Sequence, residues 1–240
     1  MDGLELGIKF SFITNSLHFC GPKEGKEIFL RYLEKKDNRE EVEEVFRKFE
    51  GLYPYFESIA EKNNKDPFDY EVVEAYWIGN ELLDRFNKED SGKIITKLTT
   101  RGLPPSFAKN LIDRLPEGFV PHHDFNVLFV GVGATTGSVE TNIQNMDNCR
   151  ISWGEVLDVL KTHIIVKTNV LKKEKEYFLK EDETKTIVYS ELMLPEIKKG
   201  DKVAIHWGYA GHILTEKQEE NLKKYTKKVR DVMNTLADTA

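Results

Sequence analysis

Long apolar runs are missing from this chain of 240 residues. No stretch approaches the roughly 18 to 20 apolar residues that a membrane-crossing helix requires, so the sequence excludes a helical membrane span. The opening residues, Met1-Asp2-Gly3-Leu4-Glu5, lack the basic start and long apolar core of a secretory signal, so a cytoplasmic location is expected. Basic charge is also short. Lys and Arg number 35 against 41 Asp and Glu, a net charge of −6, and nothing global favours a phosphate backbone. Nucleic acid and membrane are therefore not expected partners. Cysteine is scarce, with only Cys20 and Cys149, which excludes a disulfide framework. Two thiols do not make a structural zinc site alone, but with histidine they supply soft metal ligands.

What is present divides by periodicity. From about residue 25 to 115 the chain reads as helical. Asn38-Arg39-Glu40-Glu41 matches a capping box, and Val42, Val45, Phe46 and Phe49 follow at three- and four-residue spacing. Asp69 is positioned to cap a second helix, with Val72, Val73, Tyr76, Trp77, Asn80, Leu83 and Phe86 on one broad stripe. A third helix is expected after Pro104-Pro105, with Phe107, Leu111 and Ile112 inward.

The period then changes. Asn126 to Val132 is a short apolar run rich in β-branched residues, and it predicts a strand. Gly131, Gly133 and Gly137 follow it, but no second parallel strand is evident, which argues against a phosphate-binding loop. From Cys149 to His212 short strands alternate with polar turns. Ile151, Trp153, Leu157 and Val159 share one parity and predict an inner face. Val203, Ile205 and Trp207 alternate with Ala204, His206 and Gly208 after the Lys198-Lys199-Gly200-Asp201 turn. Thr215-Glu216-Lys217-Gln218 is a capping box, opening a last helix with Leu222, Tyr225, Val229 and Met233 as its apolar stripe. The expected class is α+β: an all-α domain over 1–120, a strand and Gly-rich connector over 121–148, and a small β-barrel with a C-terminal helix over 149–240.

Two segments of the last part carry a resemblance. Cys149-Arg-Ile-Ser-Trp-Gly154-Glu-Val156 is similar to the N-terminal signature of HypC-type chaperones of nickel–iron hydrogenase maturation. Lys199-Gly-Asp-Lys-Val-Ala-Ile-His206-Trp-Gly-Tyr-Ala210 resembles that family's second signature, and the match runs over about residues 149–222. The resemblance implies an OB-like barrel and an iron centre carrying cyanide and carbon monoxide. It also implies two partners, a HypD-type scaffold and the hydrogenase large-subunit precursor. By position, it implies that Cys149 supplies a thiolate to iron and that His206 lies beside it. Two departures stand out: Cys149 is internal rather than N-terminal, and Trp153 replaces the usual proline. In the helical half, Val73-Glu-Ala-Tyr-Trp-Ile-Gly-Asn80 with Pro121-His-His123 resembles an uncharacterised prokaryotic family fused to such domains, which assigns no activity.

Further candidates come from residue chemistry. His18 and Cys20, two apart, would share a face in an extended segment and could hold one metal, or be a surface His beside a buried Cys. His122 and His123 are either site ligands or hydrogen-bonded structural residues, and on a strand only one would face a shared site. Glu74 and Tyr76 are candidate site groups of the helical half, although Glu74 could equally face water. Three functions follow. The first is an assembly factor that holds or passes an iron fragment. The second is a metal-dependent enzyme of cofactor assembly using His122, His123, Glu74 and Tyr76. The third is a non-catalytic scaffold.

Overall fold

The computed structural model describes residues 1–237. Helices α1 (Gly3–Ser16), α2 (Gly25–Lys35), α3 (Arg39–Arg47), α4 (Tyr53–Asn63), α5 (Tyr70–Trp77), α6 (Lys88–Leu98) and α7 (Pro105–Asp113) build the first half. The short α8 (His123–Phe125) and α9 (Ile143–Cys149) lead into strands β1 (Ser152–Val159), β2 (His163–Lys173), β3 (Tyr177–Val188), β4 (Lys202–His206) and β5 (Tyr209–Ile213). Helix α10 (Glu216–Ala237) follows. No helix among the described residues is long and apolar enough to cross a membrane.

The α1 helix starts at Asp2, whose carboxylate accepts from Glu5 N at 2.8 Å and from the Tyr32 hydroxyl at 2.7 Å. Leu4, Leu6, Ile8 and Phe10 are all buried, so α1 is covered on several sides rather than along one stripe. The other caps depart in part from expectation. Asn38 and Asp69 both precede helices, but neither side chain caps an amide. Asn38 Nδ2 instead donates to the Ile28 carbonyl. The box at Thr215 forms as expected, with Gln218 N donating to Thr215 Oγ1 and Thr215 N to Gln218 Oε1. Leu222, Tyr225 and Val229 of α10 are buried, and Met233 packs against the same core.

Three local expectations are corrected. Residues Asn126–Gly131 form a π-helical turn continuing α8, not a strand. Phe125, Val127 and Val130 are covered from all sides, and a fully buried helical run has the same unbroken apolar pattern as a buried strand. The α5 helix stops at Trp77, and Leu83 belongs to a 3₁₀ turn over Glu81–Arg85, because Gly79 takes φ +96°. Phe107 stays 37% exposed, whereas Leu111 of the same helix is buried.

The five strands form one sheet in the order β1-β2-β3-β5-β4 that closes on itself, β4 pairing back with β1. The predicted inner parity of β1 is reversed. Ser152, Gly154 and Val156 are buried, while Trp153 and Leu157 are only half-buried. Glycine is the reason at the middle position, since a Cβ on Gly154 would lie 3.1 Å from the Lys167 carbonyl. Register then assigns faces on β4. Gly154 pairs with Val203 and Ser152 with Ile205, so Val203 and Ile205 share the β1 inner face and His206 points outward. That outer face is not solvated, because α1 lies against β5. Phe12 packs on Tyr209 at 5.9 Å and Phe10 on His212 at 6.2 Å. Buried residues from both sides of the boundary expected at 149 form one cluster.

The contact between α1 and β5 depends on a missing side chain, since a Cβ on Gly211 would sit 2.2 Å from the Lys9 carbonyl. Gly211→Ala is expected to destabilise the chain by about 3 kcal/mol, the upper range for overpacking a fixed backbone. Urea unfolding reads this directly, and an unchanged midpoint would contradict the packing of α1 on the sheet.

Candidate metal centre

Cys149 closes α9, whose first turn is capped by the Asn142 side chain accepting from Asn145 N at 2.9 Å. The residues flanking it are clamped. Asp147 Oδ1 accepts from Arg150 Nε at 3.1 Å, from Arg150 Nη2 at 2.9 Å and from Leu171 N at 2.7 Å. Arg150 Nη2 also donates to Asn169 Oδ1 at 2.8 Å. Two guanidinium nitrogens thus meet one carboxylate oxygen in a buried pair that is costly to break from one side, and the bonds to Leu171 N and Asn169 tie α9 to β2. The Trp207 amide adds a bond to the Asn148 carbonyl at 2.7 Å.

His206 ends β4, and the Trp207-Gly208 turn that follows has φ of 50° and 70°, the left-handed pair typical of a tight hairpin. His123 comes from the other half of the chain, on α8. The ligand atoms of His123, Cys149 and His206 all lie within 4.8 Å of one another, and all three residues are buried. His123 Nε2 is 3.8 Å from Cys149 Sγ. A tetrahedral ion with bonds of about 2.3 Å to sulfur and 2.0–2.1 Å to nitrogen sets S and N roughly 3.5 Å apart, so small side-chain shifts complete the site. The cluster can hold a metal ion.

The proton positions fit that use. His206 Nδ1 is 2.8 Å from the Phe10 carbonyl, which only accepts, so Nδ1 carries the hydrogen. Nε2 is left without a hydrogen-bond partner although buried. Burial pushes His206 down to about 4, against weaker opposing effects of the Phe10 and Cys149 backbone, so the ring is neutral and Nε2 presents a lone pair. His123 is pushed well below the usual histidine range, chiefly by burial and also by neighbouring His206.

His123 has two supported tautomers. In one, Nε2–H donates to the Cys149 carbonyl at 2.9 Å and Nδ1 accepts from the Tyr76 hydroxyl at 2.9 Å. In the other, Nδ1–H donates to Tyr76, whose hydroxyl donates onward to the Gly51 carbonyl at 3.1 Å, and Nε2 is freed toward the Cys149 sulfur. Tyr76 is thus the outer partner that orients a ligating imidazole. Trp77 packs against both rings at a tilt, 4.5 Å from the His123 ring and 5.6 Å from the His206 ring. The Cys149 thiol is pushed well above its usual range, first by burial, so a bound cation must drive its ionisation and release a proton.

These groups line a cavity of about 40 Å³ with Cys20, Phe19, Trp207 and Ser138. That is space for a few waters or a small ligand, not for a large substrate. Cys20 is half-buried there, whereas His18 is exposed, left-handed at φ 58°, and outside the lining. The extended His18–Cys20 pairing considered from sequence is therefore replaced by a turn.

Other candidates lie elsewhere. His122, adjacent to His123, faces Tyr225 at 6.3 Å, and its Nδ1 accepts from Asp124 N at 3.2 Å. Asp124 Oδ2 is 3.9 Å away, and neither Asp124 oxygen has a hydrogen-bond partner despite full burial. Glu74 accepts from Gln218 Nε2 at 2.9 Å, from Asn80 Nδ2 at 3.1 Å and from Tyr70 at 3.2 Å, bracing α5 against the start of α10. The sequence reading missed the Asp147–Arg150 clamp, although acid and base three apart beside Cys149 was its signal. It also missed the role of Trp77.

Over residues 1–240 the chain matches the model of a family of unknown function, DUF6390. No curated protein matches it, and no solved structure does.

Two outcomes are expected. Tyr76→Phe keeps the ring packing but removes the hydroxyl that orients His123, and should weaken metal binding about 10–100-fold, as outer-partner losses do. A competition titration measures this, and unchanged affinity would remove Tyr76 from the site. The second concerns pH. His206 and His212 both fall to about 4, largely through burial, so the unfolded chain takes up protons near pH 6.5 that the folded chain refuses. Stability is therefore complete above pH 6.5 and declines as pH falls toward 4, by up to about 1.4 kcal/mol per pH unit for each histidine. Denaturant unfolding at pH 7 and pH 5 should show the loss, and equal stabilities would contradict neutral buried rings.

Proposed function

We propose that this chain, which belongs to the DUF6390 family of unknown function, is a metal-holding assembly factor for nickel–iron hydrogenase. His123, Cys149 and His206 bind one iron, carried as a fragment with cyanide and carbon monoxide ligands, and Cys149 supplies the thiolate. A HypD-type scaffold and the hydrogenase large-subunit precursor are the proposed partners, and the closed sheet with its C-terminal helix serves as the OB-like barrel of that system. One observation carries the reading. Cys149 and His206, drawn from two separate sequence signatures 57 positions apart (206 − 149), converge within 4.8 Å. A thiolate with two imidazoles suits a soft or borderline ion such as low-spin iron.

A second reading, a metal-dependent enzyme of cofactor assembly, draws on the contribution of the helical half. His123 and Tyr76 both come from it, and three protein ligands leave a coordination position facing the cavity. The small cavity limits any substrate there to a few atoms.

Anaerobic purification with metal analysis and infrared spectroscopy separates these readings. The carrier predicts one iron per chain with cyanide and carbonyl stretches, lost in Cys149→Ser and His206→Ala and retained in His122→Ala. Metal without those stretches favours the enzyme. Absence of metal from protein reconstituted with iron or zinc contradicts both and favours a scaffold.

A further inference from the structure

The cavity beside the three ligands holds a second thiol. Cys20 follows α1 in a turn whose backbone is pinned. Asn15 Nδ2 donates to the Cys20 carbonyl at 3.0 Å, Gly21 N donates to Glu50 Oε2 at 3.0 Å, and Ser138 Oγ donates to the Phe19 carbonyl at 2.8 Å. The side chain lines the cavity next to Cys149, His123 and His206, although its sulfur does not belong to the group within 4.8 Å.

Two observations bear on its role. His206 Nε2 is a buried polar atom without a hydrogen-bond partner at this same cavity. The cavity lining contains no Lys, Arg, Asp or Glu, and its titratable side chains are the two thiols, the two imidazoles and Tyr76. A bare divalent ion held by one thiolate and two neutral imidazoles would keep one positive charge that no side chain lining the cavity neutralises, since the carboxylates of Glu50 and Asp124 lie outside that lining. A second thiolate removes it, and it also completes the four-coordinate set that such ions favour.

We propose that Cys20 is the fourth, movable ligand of the centre, closing a two-thiolate, two-imidazole site around a bare divalent ion. The proposal rests on the metal-binding reading above and extends it to the control of the open position. Binding converts two thiols to two metal-bound thiolates and releases two protons, with no change of oxidation state. An anionic ligand replaces the Cys20 thiolate on the ion, the freed thiolate takes one proton back from solvent, and the site opens. The turn holds the backbone of Cys20, so the movement proposed is that of its side chain.

The test uses the full chain, reduced, titrated with Co²⁺ near pH 7. Calorimetry in buffers of different ionisation enthalpy counts released protons, and burial leaves both thiols protonated beforehand, Cys20 being pushed up to about 12. The expected result is two protons per Co²⁺ for the wild type and one for Cys20→Ser, with sulfur-to-cobalt charge-transfer absorption falling by about half. X-ray absorption of the Zn²⁺-loaded wild type, which needs no variant, should count two sulfurs. One proton and one sulfur in the wild type would overturn the role of Cys20 while leaving the three-ligand site intact. No binding of Co²⁺ or Zn²⁺ by the wild type would overturn both.

Discussion

The hydrogen bond from His206 Nδ1 to the Phe10 carbonyl joins the two halves of the chain at the place where the candidate centre forms. Because α1 lies against β5 and its Phe10 carbonyl meets His206, a histidine that register directs away from the barrel interior is buried instead of solvated. The same contact fixes which nitrogen carries hydrogen and leaves the other bare. The α8 turn, the end of α9 and the β4–β5 hairpin then meet at one point. Each approach has its own restraint: Tyr76 on His123, the Asp147–Arg150 pair beside Cys149, and the left-handed Trp207-Gly208 turn after His206.

Burial governs the chemistry that follows. Burial away from bulk solvent keeps the imidazoles neutral and the thiols protonated, so the three side chains carry no charge before a cation arrives. Neutral histidine is the metal-binding form, which means the desolvation that destabilises the fold in acid also keeps two ligands ready. The thiols respond differently, since they must lose protons to bind. Affinity for metal therefore rises with pH, and it depends on how far a cation can offset the desolvation of Cys149.

Much of the architecture was legible in the residues, but not the meeting of its parts. The capping box at Thr215 and the stripe through Leu222, Tyr225 and Val229 required only local spacing, and they formed as expected. The helical first half was readable for the same reason. The parity of β1 was not, because its inner face is built from Ser152, Gly154 and Val156, while the larger Trp153 sits under Lys223 at 5.9 Å on the outside. Apolar content alone then selects the wrong face. The Asn126 run failed through complete burial, which erases the difference between helical and strand periods. Of the adjacent histidines, the one facing the cavity was decided by the helical turn of α8, which sends His122 toward Tyr225 and His123 toward Cys149. Cys149 and His206 were identifiable as a pair only through resemblance, whereas the joining of His123 to them depends on tertiary packing that no local pattern records.

Anomalous diffraction from crystals of the full chain grown anaerobically with Fe²⁺ or Zn²⁺ tests the central claim most directly. One strong peak should lie among His123, Cys149 and His206, within bonding distance of Cys149 Sγ and of both imidazoles. Ordered crystals with full metal occupancy elsewhere, and no peak among these three side chains, would contradict the account.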